Sequence, residues 1–255
     1  MIDSHVPPKP LSLMEIFLWK SYRFMNRYYW KVLIQKKLRN YLHINQWSDT
    51  DWWNNEYVKE FHHHSFQNKI ISNDFLDSIR TNKSFLELFS SSKKFVDLWS
   101  GTWELAHFAS KRFQYQEILW LEVSEKAVEI ANELYKDEVI QFRVISPKEQ
   151  LDNYGKFDFV ICSNTLEHFQ KPEIIIDKAF NLTDIFIALI PYKQPVSDVY
   201  EYEGGPWHVN TFDENSFSSY ELIDYMIFRT WGWQTSTWWE DPLQLAVILR
   251  KKSVS

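Results

Sequence analysis

From Lys93 onward, short β-rich runs alternate with helical stretches, a rhythm few folds can accommodate. KFVDLW (94–99), EILWLEV (117–123), VIQFRVI (139–145), FDFVICSN (157–164) and DIFIALIP (184–191) read as strands. Helical patterns at Glu104–Arg112, Glu125–Tyr135 and Pro172–Leu182 fall between them. Strand–helix–strand units of this kind build parallel sheets covered on both faces. A further helix is expected over Asp213–Tyr225, where Thr211 and Glu214 have capping-box spacing. Strands at YMIFRTW (225–231) and LQLAVILRK (243–251) then complete a doubly wound, mainly parallel sheet of seven strands over residues 91–252.

Residues 1–90 read differently. Three prolines in the first ten residues give way to a helical pattern from Ser12 to about Leu42, basic on its polar face (Lys20, Arg23, Arg27, Lys31). Such a helix can lie on an anionic membrane surface, but docking by its apolar stripe with a solvated cationic face is the favoured expectation. Two weaker helical stretches, Asp51–Phe61 and Asn73–Leu88, suggest a helical, aromatic-rich extension or lid. His62, His63 and His64 lie between them. Consecutive side chains diverge and no ligand spacing accompanies them, so they read as a solvent-facing cluster and no metal is expected.

Composition narrows the function classes. A net charge of −6 gives no global attraction to nucleic acid. The single cysteine, Cys162, cannot form an intramolecular disulfide, and no signal-peptide pattern opens the sequence, so a cytoplasmic setting is expected. Thirteen Trp against five Gly is an unusual balance for a fold rich in tight strand-to-helix turns.

Ligands of open parallel sheets bind beyond the carboxyl ends of the strands, where strand order reverses. Asp97 and Glu122 stand at the ends of the first two strands, and a carboxylate there can accept ribose hydroxyls. An acid beside a helix start is also stabilised by the helix dipole, so position alone does not decide. The run VDLWSGTWEL (96–105), EILWLEVSEKAVEIANELY (117–135), FDFVICSNTLEHF (157–169), Pro191 and HVNTFDENSF (208–217) resembles class I S-adenosylmethionine (SAM) dependent methyltransferases of the small-molecule branch. That resemblance implies SAM as cofactor and a site formed by Asp97, Gly101, Glu122, Val123, Ser146, Ser163 and Asn164. It also implies a small-molecule acceptor; the glutamates and aromatics of the 196–207 loop point to a hydroxyl or amine on it, and the net charge of −6 leads to the expectation of no nucleic-acid partner.

The departures from the family pattern concern its glycines. Trp99 and Trp103 replace the glycines flanking Gly101, Trp120 replaces a glycine of the second strand, and Ile145-Ser146-Pro147 replaces a common Gly-Asp-Ala. Glycine serves such a turn by taking positive φ and by letting backbone approach a nucleoside. Three outcomes are open. A rebuilt loop can stack an indole on adenine, Trp99 and Trp103 can fill the pocket and leave a non-catalytic binding scaffold, or the site can have been altered by design or serve another ligand. For an active enzyme, His208 is the expected general base and His168 a positioning or substrate-facing residue, because a histidine near neutral pKa suits proton removal from a hydroxyl. The loop Val196–Trp207 is expected to cover the acceptor.

Overall fold

The computed structural model describes residues 69–99, 104–135, 137–146, 151–194, 208–230 and 243–252. The chain divides into two compact units, Met1–Asn45 and Gln46–Ser255, and all described residues belong to the second. The basic helix, the His62–His64 run, Gly101, Trp103, Pro147 and the Val196–Trp207 loop lie outside the described residues. Among the described residues, no helix is long and apolar enough to cross a membrane.

Seven strands form one sheet: β1 (Lys94–Leu98), β2 (Glu117–Glu122), β3 (Ile140–Val144), β4 (Phe159–Ser163), β5 (Ile185–Pro191), β6 (Glu221–Arg229) and β7 (Leu243–Arg250). Their order is β3-β2-β1-β4-β5-β7-β6, with β1 to β5 parallel and β7 antiparallel to both β5 and β6. The reversal between β1 and β4 is the switch point at which such sheets open a crevice. Strands β1, β2, β4 and β5 are almost wholly buried, which accounts for their near-continuous apolar runs.

Both faces are covered. On one, Phe75, Leu76, Phe85 and Phe89 pack with Phe95, Phe159, Ile187 and Ile248. These residues come from a helical segment at 69–78 and from α1 (Lys83–Ser91), so chain grouped by sequence with the N-terminal extension supplies part of the sheet's core. The single stretch expected over Asn73–Leu88 is broken by a 3-10 turn at Ile79–Thr81, and Asn82 restarts the helix by accepting from the Phe85 N–H. Helices α2 (Glu104–Arg112) and α3 (Glu125–Leu134) complete this face. The opposite face packs α4 (Pro172–Ala179) through Ile175, Ile176 and Ala179 onto Val96, Leu119, Val160 and Val247.

The helix expected over Asp213–Tyr225 does not form: 213–219 is a turn and Glu221–Arg229 is strand β6. Asp213 closes the turn locally, its carboxylate accepting from Asn215 N–H and Ser216 Oγ while Ser216 Oγ accepts from Asp213 N–H. Such side-chain bonds compete with helix formation. The capping-box pair is used elsewhere, with Thr211 Oγ1 donating to the Gln194 carbonyl and Glu214 accepting from the Tyr192 hydroxyl. Phe212 and Phe217 stack at 5.6 Å and anchor the turn in the core.

Trp120 has a structural explanation unrelated to a ligand. Its fully buried indole packs with Ala127, Val128 and Ala131 of α3 and meets Phe142 edge-on at 5.4 Å. The helix presents small side chains where the strand presents its largest, as close packing requires. Trp120→Ala is expected to cost about 3–5 kcal/mol, read as a lower denaturation midpoint by far-UV circular dichroism; an unchanged midpoint would contradict this packing.

Candidate functional site

Five of the expected site residues converge at the carboxyl ends of β1, β2 and β4. The register pairs Leu98 with Leu121 and Asp97 with Ile161, so continuing each strand brings Trp99 level with Glu122 on one side and Ser163 on the other. Glu122 Oε1 accepts from the N–H groups of Val123 (2.7 Å) and Ser124 (3.2 Å), fixing the carboxylate at the entrance to α3. Ser124 caps that helix by accepting from Ala127 N–H. Asp97, Glu122, Val123 and Ser163 are buried and Asn164 is half-buried, whereas Ser146, beyond β3, is exposed.

Trp99 takes φ +54°, the left-handed conformation a glycine would supply. For a side chain with a Cβ this costs about 1–2 kcal/mol, and the surroundings hold it there. Its N–H donates to Leu121 O at 2.9 Å. Thr165 Oγ1 lies 2.5 Å from Trp99 O and 2.9 Å from Ser163 O, sharing its proton between the two carbonyls. The indole stacks on Phe169 at 5.5 Å and is 8% exposed, within the cluster that contains Val123, Ile145 and Leu166. Its Nε1 is buried with no hydrogen-bond partner. Asn164 also takes positive φ (+47°), and its Oδ1 is a second buried polar atom without a partner.

His168 and His208, forty residues apart in sequence, are brought together with rings 4.9 Å apart. Between them stands Glu167, which the sequence reading missed. Its Oε1 is 3.8 Å from His168 Nε2 and 3.9 Å from His208 Nε2, and its Oε2 is buried without a hydrogen-bond partner. Glu167 occupies the 3-10 turn Leu166–His168 directly after β4. The segment carrying His208 is laced across that turn: Val209 and Asn210 N–H both donate to Glu167 O, and the Asn210 side-chain amide donates to Phe169 O. The sequence held one clue, an acid beside a histidine at the end of the FDFVICSNTLEHF run (157–169). Convergence with His208 depends on backbone bonds that no spacing encodes.

Burial controls the protonation of this cluster. It raises the Glu167 pKa from 4.5 to about 8 and lowers that of His208 from 6.5 to about 4, the charged form being disfavoured in each case. Near neutral pH the cluster therefore holds a neutral acid and, at His208, a neutral imidazole. Burial likewise pushes the Cys162 thiol up, which makes it an inert core residue.

Residues 95–183 match a family described as "Methyltransferase domain". No curated protein matches the sequence. Among solved structures, a SAM-dependent methyltransferase from Anabaena variabilis ATCC 29413 is similar over 80% of this chain and 95% of its own, with 15% identity and a TM-score of 0.57. The plantazolicin methyltransferase BpumL, solved in complex with SAH, is similar over 76% of this chain and 87% of its own, with 12% identity and a TM-score of 0.51.

The buried acid gives a stability signature. Glu167 binds a proton more tightly when folded, so its contribution is full below pH 4.5 and lost as pH rises to about 8. His208 behaves oppositely, its contribution being present above pH 6.5 and lost towards about 4. Between 4.5 and 6.5 the two oppose; from 6.5 to 8 Glu167 acts without that offset. In chelator-treated protein, unfolding free energy is expected to fall across pH 6.5–8, and Glu167→Gln should flatten that slope; an equal slope in both proteins would place the titrating group elsewhere. Residues 95–183 thus match the methyltransferase-domain family, and the sheet they build has the fold of the SAM-dependent methyltransferase it is similar to.

Proposed function

We propose that the domain transfers a methyl group from SAM to a hydroxyl or amine of a small-molecule acceptor. The observation that carries this reading is the pair of buried, unpartnered polar atoms at the β1 and β4 ends, the donor Trp99 Nε1 and the acceptor Asn164 Oδ1. A buried polar group without a partner is costly, so each is better explained by a ligand that completes it. SAM fits the pair, since its amino-acid portion carries both a carboxylate to accept and an ammonium to donate. Glu122, at the end of β2, is the acceptor for ribose hydroxyls, with Val123 beside it. Ser163 and Asp97 complete the wall of the crevice, and Gly101 and Ser146 are assigned to it by resemblance.

SAM supplies an electrophilic methyl on a sulfonium; the protein's task is to align the acceptor with it and to receive a proton. His208 is a neutral imidazole able to take that proton, and His168 beside it holds the acceptor in position. Because burial lowers the His208 pKa to about 4, it is a weak base, better matched to an acidic hydroxyl or to an amine that arrives neutral than to an alkyl alcohol. The net charge of −6 supports a small molecule over a polynucleotide.

One observation favours the second reading, a scaffold without catalysis: the Trp99 indole already belongs to the core cluster at the crevice. Calorimetric titration with SAM and S-adenosylhomocysteine separates the two. For the enzyme, micromolar binding is expected, and Glu122→Ala should weaken it by about 10–100-fold, the loss of hydrogen bonds to a charged group. No binding to the wild type, with binding acquired by Trp99→Gly, would overturn the enzyme reading in favour of an indole-filled pocket.

A further inference from the structure

We propose that Glu167, His168 and His208 bind a divalent first-row transition metal ion. One carboxylate oxygen and one ring nitrogen from each histidine lie within 4.8 Å of one another. The two Nε2 atoms stand 3.8 and 3.9 Å from the same Glu167 oxygen, beyond hydrogen-bonding distance from it. Metal–ligand bonds of about 2.0–2.2 Å place neighbouring ligand atoms about 3.0–3.5 Å apart. Bringing both nitrogens to that spacing from Glu167 takes a few tenths of an ångström, and the widest separation in the set, up to 4.8 Å, closes by about an ångström through side-chain rotation.

Two further observations point to an ion. Glu167 is 2% exposed and its Oε2 has no hydrogen-bond partner, an expensive arrangement for a carboxyl group unless something else satisfies it. The geometry is also held from outside the cluster. The bonds from Val209 and Asn210 to Glu167 O, and from Asn210 to Phe169 O, pin the His208 segment against the Glu167 turn. The three ligand-bearing residues thus share one small backbone framework, as supporting contacts around metal sites generally provide.

Two imidazoles and one carboxylate suit zinc, manganese, iron(II) or cobalt(II) rather than calcium. Three protein ligands leave at least one coordination position for another molecule, the pattern of catalytic rather than structural sites. The role assigned to that position rests on the methyl-transfer reading. An acceptor hydroxyl bound there gives its proton to solvent water more readily, and its oxygen then takes the methyl as the carbon–sulfur bond of SAM breaks to release S-adenosylhomocysteine; His208 serves as a ligand, with the ion replacing it as the source of acceptor activation. Binding of the ion itself requires no SAM.

The test uses full-length protein stripped with a chelator and titrated with Co²⁺, followed by its visible ligand-field absorption and by displacement with Zn²⁺. The expected result is one equivalent bound, with Glu167→Gln and His208→Gln each weakening binding by about 100-fold, at the upper end of what outer-shell changes alone produce. His208→Gln is the safer variant for folding because its side chain is partly exposed, and circular dichroism checks both. The triple variant His62→Ala, His63→Ala, His64→Ala should retain the absorption. Absence of any cobalt spectrum overturns the proposal; so does a spectrum unchanged by His208→Gln and abolished by the triple variant. Because the readout omits SAM, failure of the methyltransferase reading would leave the cobalt result intact, and the reverse also holds.

Discussion

One buried hydroxyl ties the crevice together. Thr165 Oγ1 bridges the carbonyls of Trp99 and Ser163, joining the turn after β1 to the turn after β4 across the point where strand order reverses. At such a point the helices leaving adjacent strands go to opposite faces and the loops part, so backbone carbonyls lose their ladder partners. Thr165 satisfies two of them at once. Much else follows from this bond: it helps hold Trp99 at positive φ, it sets the start of the turn carrying Glu167 and His168, and it brings Phe169 to the face of the indole.

The tryptophans show how one residue type can perform unrelated tasks. Trp99 takes the backbone conformation of a glycine and retains an indole, so the turn keeps its shape while the space beside it changes. Trp120 alters nothing at the crevice because its side chain lies beneath α3. Against the family pattern both stand in place of glycines; of the two, only Trp99 lies where it affects what can bind beyond β1.

Residues 94–191 were legible because their signals are local. Buried parallel strands give continuous apolar runs, and the helices between them show amphipathic periodicity, so the order from β1 to β5 could be read directly. The segment 211–229 was misread because Thr211 and Glu214 carry a helix-start pattern while their partners, Gln194 and Tyr192, come from a distant loop. Glu167 was missed for a related reason. Beside His168 it resembles an ordinary acid on a surface turn, and its burial depends on the later segment Val209–Asn210 folding back over it. Local chemistry indicated the strand ends, but not which distant loop would meet them.

The packing of Trp120 on Ala127 and Ala131 also bears on how this sequence can change over time. The strand position and the helix positions share a fixed volume, so shrinking the indole leaves a void and enlarging either alanine first creates a clash. Neither step is neutral alone, yet the two together can be. Positions 120, 127 and 131 should therefore drift as a linked set, and a related chain with a small residue at 120 is expected to carry bulkier side chains on the facing turns of α3.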